Sequence, residues 1–117
     1  MAELDVVGSQ LVLRLTTFEK IAALSRDLHV DTSAIQAIDV HESPFDLVKG
    51  LRAAGLSIPR RVAIGTFRRL HTGRFIVLTN RGPAVHIRFG FGRVGEWVIG
   101  DPNAEQTVQR LRTQVGL

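Results

Sequence analysis

The stretch RVAIGTFRRLHTGRFIVLTNRGPAVHIRFGFGRVGEWVIG, residues 61–100, contains four runs rich in Val, Ile, Phe and Trp, separated by turn-forming residues. Residues 61–70, 74–79, 84–89 and 95–100 are therefore expected to be β-strands. His71-Thr72-Gly73, Asn80-Arg81-Gly82-Pro83 and a glycine-rich corner at 90–95 divide them. Short turns of this kind join antiparallel neighbours, so the expectation is a meander of hairpins. Immediately downstream, Asp101-Pro102 opens a closing helix, with Ala104, Val108, Leu111 and Val115 spaced as one apolar stripe.

Working back from this block, residues 33–41 read as a further strand, and Ser43-Pro44 starts a short helical turn that Gly50 stops. Thr16-Thr17-Phe18-Glu19 has the form of a capping box and predicts a helix over 17–28. Its stripe of Phe18, Ile21, Ala22, Leu24 and Leu28 is expected to face the core. Residues 4–15 alternate as an extended segment, with a bend at Gly8-Ser9. A breaker-rich segment at 54–59 is too short to separate domains, so the reading is a single domain spanning 1–117. Helices are missing between the later strands, which argues against a doubly wound parallel sheet and for an antiparallel α+β domain.

The chain has 117 residues, 44% of them hydrophobic, and no cysteine. That composition supports a packed core and excludes disulfides, thiol catalysis and cysteine-based zinc sites. Residues 1–10 carry acidic groups where a secretory leader needs basic ones, and no apolar run approaches the ~18–20 residues of a membrane span. A cytoplasmic protein, peripheral at the membrane if it meets one, is the expectation.

The formal charge of +4 conceals strong segregation. Residues 1–48 hold three cations against eight carboxylates, whereas 49–93 hold ten cations and no carboxylate. Such a stretch can mark an anion-binding surface, unless folding brings the acidic segments against it. Arg60, Arg61, Arg68, Arg69 and Arg74 are the candidate binding residues. Alternate positions 61, 63, 65, 67 and 69 would form a solvent-directed face with Phe67 between two arginines, suited to stacking a single-stranded base or wedging into lipid. A bulge at Gly65 would instead shift the register and turn Phe67 into the core.

Other motifs carry no chemistry. Gly90-Phe91-Gly92-Arg93-Val94-Gly95 matches the dinucleotide-binding pattern G-x-G-x-x-G, but Glu96-Trp97-Val98-Ile99 continues as a strand where that motif needs a helix. A hairpin corner is the expectation. His29, His41, His71 and His86 lack metal-ligand spacing. His41-Glu42-Ser43 on a strand would point neighbouring side chains to opposite faces, which spoils a base and nucleophile pair. His71 is expected in an exposed turn, and His86 on the outer face beside Arg88. No catalytic residue, cofactor, metal or small-molecule substrate is indicated.

Several local words resemble the small bacterial pleckstrin-homology-like domains: Gly50-Leu51-Arg52-Ala53-Ala54-Gly55 leading to Ile58-Pro59, Gly65-Thr66-Phe67-Arg68-Arg69, Arg74-Phe75, Arg81-Gly82-Pro83-Ala84-Val85, and Asp101-Pro102. The resemblance covers roughly residues 10–114. It implies a split antiparallel β-barrel of about seven strands, capped by a C-terminal helix near 102–114, with the early helix near 17–28 as an insertion. Inositide binding is not carried over, because the early region that bears the basic loop in eukaryotic relatives is acidic here. The implied role is a non-enzymatic binding module whose partner is a protein, a second copy through open sheet edges, or an anionic membrane surface. A single-stranded nucleic-acid-binding domain is the alternative.

Overall fold

The computed structural model describes residues 2–23, 27–47, 51–58, 62–69, 72–78, 82–90 and 95–117. Strands β1 (Glu3–Val7) and β2 (Gln10–Arg14) form a hairpin. Gly8 turns it at φ +61°, a backbone angle that glycine adopts without strain. The capping box then starts helix α1 (Thr17–Ala23): the Thr16 amide donates to Glu19 Oε1 at 2.9 Å, and the Glu19 amide donates to Thr16 Oγ1 at 3.2 Å. Strand β3 (Leu28–Asp31) returns beside β2 and completes a three-stranded antiparallel sheet. Asp27 Oδ1 accepts from the Leu15 amide at 2.8 Å and ties the two ends of this excursion together.

A second sheet has six strands in the order β4-β8-β9-β7-β6-β5. Its members are β4 (Ile35–His41), β5 (Leu51–Ile58), β6 (Val62–Arg69), β7 (Thr72–Leu78), β8 (Ala84–Phe89) and β9 (Glu96–Gly100). One-turn 3-10 helices at Thr32–Ala34 and Pro44–Leu47 flank β4, and helix α2 (Ala104–Val115) follows β9. The domain is α+β, and among the described residues neither sheet closes into a barrel.

Side chains alternate across a strand, so each strand of the large sheet feeds two faces. On one, Ile64, Phe75, Val77, Val85, Ile87, Trp97 and Ile99 meet Leu4, Leu11 and Leu13 of the small sheet and Ala104, Val108 and Leu111 of α2. Trp97 packs edge-on against Phe89, with ring centroids 5.0 Å apart. On the other, Ala63, Phe67, Ile76, Leu78, Ala84 and Val98 form a smaller cluster, and Phe45 packs on it. At the free side of β4, α2 covers the edge: Arg112 Nε donates to the Ile38 carbonyl at 2.8 Å, and its Nη2 reaches Asp39 Oδ1 at 2.7 Å.

Four expectations are corrected. The all-antiparallel meander gives way to a mixed sheet, because β9 inserts between β7 and β8 and runs parallel to β7. Local periodicity marks strands but not their lateral order. The continuous runs Phe75–Leu78 and Trp97–Ile99 suit such central strands, which are buried on both faces. The helix expected over 17–28 does not reach its last position, since Leu28 lies in β3 paired with Leu13. Part of its stripe is also turned outward: Phe18 and Ile21 are exposed while Glu19 is buried, bonded to the Thr16 amide, and Leu28 packs on the core from β3. Of the breaker-rich segment, residues 54–58 lie in β5 and pair along β6, and Pro59 lies outside the described residues.

The fourth correction concerns β6. Ala63, Gly65 and Phe67 are buried, so the face expected to meet solvent is core. No bulge in β6 causes this, since its pairing with β7 is unbroken from Ala63 to Arg69. The irregularity lies across from it, in β5 between Arg52 and Ala54. Gly65 sits opposite Gly55 at φ +137°, an angle closed to residues with a Cβ. Phe67 is buried because both faces of the sheet are covered.

Candidate functional site

The sheet register brings part of the basic stretch to one end of the large sheet. Arg68 and Arg69 finish β6, opposite Gly73 and Thr72 at the start of β7, and Arg68 also pairs with Leu51 at the start of β5. Arg52 faces Phe67 across the ladder, and Arg74 faces Phe67 from β7. Strands β5, β6 and β7 contain no carboxylate. Arg60 and Arg61 lie outside the described residues, as does His71. Three of the five candidate arginines, joined by Arg52, thus share one corner by backbone position.

Arg74 is already engaged there. Its Nε donates to Glu96 Oε2, and its side chain is 25% exposed. Glu96 comes from β9, outside the carboxylate-free stretch, and the parallel β7–β9 pairing puts it opposite Arg74. Arg88 lies 3.9 Å from Asp39 on β4. Both neutralisations come from strands distant in sequence, and charge counting along the chain did not reveal either partner.

Glu96 also touches the most unusual polar group among the described residues. Its Oε1 lies 3.5 Å from His86 Nε2, a nitrogen sealed from solvent and without an aligned hydrogen-bond partner. The His41 ring stands edge-on to His86 at 6.1 Å. Burial pushes the His86 pKa below its ordinary value and outweighs the attraction of Glu96, while His41 and Arg74 push the same way as burial. His86 does lie on the face opposite Val85, Ile87 and Phe89, but it is half-buried beside Glu96 rather than set out in solvent beside Arg88. His41 Nδ1 accepts from the Ser43 backbone amide at 3.2 Å, so that histidine activates no hydroxyl through this bond.

A cleft of about 590 Å³ lies between β1 and the start of α2. Asp5, Arg14 and Arg110 in its lining form one charged cluster. Asp5 sits 3.2 Å from Arg14 and 3.8 Å from Arg110, and Arg110 also donates to the Leu4 carbonyl at 2.8 Å. Hydrogen bonds from Arg14 and from the Val6 amide hold the Asp5 carboxyl below the usual carboxylate range. Asp101 accepts from the Asn103 amide and the Thr107 hydroxyl at 2.8 and 2.5 Å. These bonds make the cleft a stitched junction between sheet and helix.

Two arrangements that the residues suggested are not assembled. Phe67 and Phe75 are 4% and 2% exposed, so neither ring offers a face on which a base could stack. Residues 91–94 of the glycine segment lie outside the described residues; at its ends the Phe89 amide donates to the Gly95 carbonyl at 2.9 Å between the antiparallel strands β8 and β9, and a strand rather than a helix follows. Among the described residues, no group of three or more His, Asp or Glu side chains could hold a metal ion, and no helix is long and apolar enough to cross a membrane. In comparisons with known proteins, no family model, no curated protein and no solved structure matches the chain.

Proposed function

We propose that the chain is a non-enzymatic interaction module of pleckstrin-homology-like type, which docks on an anionic surface through the corner where β6 ends and β7 begins. The carrying observation is the convergence of Arg52, Arg68 and Arg69 on two adjacent strands, β5 and β6, that contain no carboxylate. The family reading is supported by a β-rich domain closed by an amphipathic C-terminal helix, which begins just after Asp101-Pro102. The parallel β7–β9 pair departs from the simple antiparallel barrel of that family.

Arginines near an acidic surface contribute about 1 kcal/mol each, so three correspond to roughly a hundredfold preference over a neutral surface, weakened by salt. Co-sedimentation with phosphatidylserine-containing and neutral vesicles, at low and physiological salt, tests the membrane case. Retention on immobilised polyglutamate tests the acidic-protein case. Binding to an anionic surface that falls with salt and with Arg68→Gln plus Arg69→Gln is expected. Equal behaviour on acidic and neutral vesicles, together with no polyglutamate retention, sinks the reading.

A further inference from the structure

Helix α1 presents an apolar pair to solvent. Phe18 is 60% and Ile21 69% exposed, and the three-residue spacing sets them side by side on one face. The helix is anchored elsewhere, by its packing on β5 and β6 and by the buried Glu19 at its capping box. A water-facing helix ordinarily buries its apolar residues and exposes its charged ones; here Lys20 is exposed as expected, but Glu19 is buried while Phe18 and Ile21 face solvent. Glu19 and Lys20 are the charged residues of α1 and Lys20 pairs with Asp27 at 3.6 Å, so the helix itself supplies no net positive charge beside the pair.

The two strands under α1 are the ones that bear Arg52, Arg68 and Arg69 and no carboxylate. An apolar pair beside a cationic, acid-free flank matches the interface of a bilayer with acidic headgroups, where rings and aliphatic chains enter the acyl boundary and guanidinium groups stay among the phosphates. A second copy fits less well. Facing copies would oppose like charges, and the pair exposes roughly 250 Å² against the about 800 Å² per partner of a stable dimer.

We propose that Phe18 and Ile21 form a membrane-inserting wedge, which seats the domain on an anionic bilayer. This inference rests on the anionic-surface reading and specifies lipid as the surface. The chain has no cysteine, so Ile21→Cys gives a single site for a nitroxide spin label. On phosphatidylserine-containing vesicles the label should become accessible to dissolved oxygen and shielded from a water-soluble nickel complex. Phe18→Ser plus Ile21→Ser should lower vesicle binding about tenfold while leaving the thermal midpoint unchanged.

Bound protein with the label still in water, or a double variant that binds as well as the parent, overturns the wedge and leaves the anionic surface standing. Failure of the parent to bind acidic vesicles removes the wedge, and retention on polyglutamate then decides whether the wider reading survives. Spin–spin coupling between labelled copies without vesicles would assign the pair to a dimer contact and likewise overturn the proposal.

Discussion

Truncating Phe67 and Phe18 separately tests the two faces on which the structure most reverses the local pattern. Phe67 is 4% exposed, against Ala63, Ile76, Leu78, Ala84 and Val98, whereas Phe18 is 60% exposed on α1. A phenylalanine carries about 200 Å² of accessible surface, so the difference is about 110 Å² of apolar area kept from water. At about 25 cal/mol per Å² that area amounts to roughly 3 kcal/mol. The cavity left by Phe67→Ala in a two-sided sheet raises the expected cost to about 3–5 kcal/mol, or roughly 10–20 °C in thermal midpoint. Phe18→Ala should stay within about 0.5 kcal/mol of the parent. Urea and thermal unfolding followed by circular dichroism, with Trp97 fluorescence as a second probe, measure both. If Phe18→Ala proves the costlier change, the assignment of faces on α1 and β6 is wrong.

Three further perturbations follow from the same packing. The His86 pKa is depressed below 6.5 by burial, so the folded state resists a proton that the unfolded chain accepts. Stability from this group is complete above that value and drains as pH falls through the depressed folded pKa. His86→Gln should flatten that part of a midpoint-against-pH curve, and an unchanged slope would show that His86 is not the responsible group. Thr107→Val removes the hydroxyl bonded to Asp101 Oδ2 and should cost about 1 kcal/mol by urea melts, a figure typical of a lost hydrogen bond. Gly65→Ala forces a Cβ onto φ +137° and should cost about 1–3 kcal/mol, whereas no effect would mean that this backbone angle is wrong.

Short-range chemistry was legible in the sequence. The capping box at Thr16 and Glu19, the Gly8-Ser9 bend and the stripe Ala104, Val108, Leu111 and Val115 depend on residues a few positions apart, and the structure reproduces them, while the strand expected over 33–41 starts only at Ile35, after the 3-10 turn Thr32–Ala34. Lateral strand order was not, because the slot for β9 is set by which apolar runs need cover on both faces. The same gap limited the site reading. Arg68, Arg69 and Arg74 share a corner as their spacing suggests, but Glu96 reaches Arg74 only through the parallel pairing of β7 and β9. Exposure of Phe18 was hidden for the converse reason: the capping carboxylate of Glu19 is buried where Phe18 and Ile21 face outward, and helical periodicity does not say which side the cap will favour.

The place of β9 bears on how this chain is made. Among the described residues it alone joins β8 and β4 to β7, β6 and β5, so until residues 96–100 leave the ribosome the large sheet is limited to two separate ribbons. Each ribbon then shows an unpaired edge along β7 or β8, lined by apolar residues that will become the centre of the molecule. Zipping the two halves shut is consequently a late, long-range event, and the nascent chain is most prone to pair with a neighbour in the interval before it.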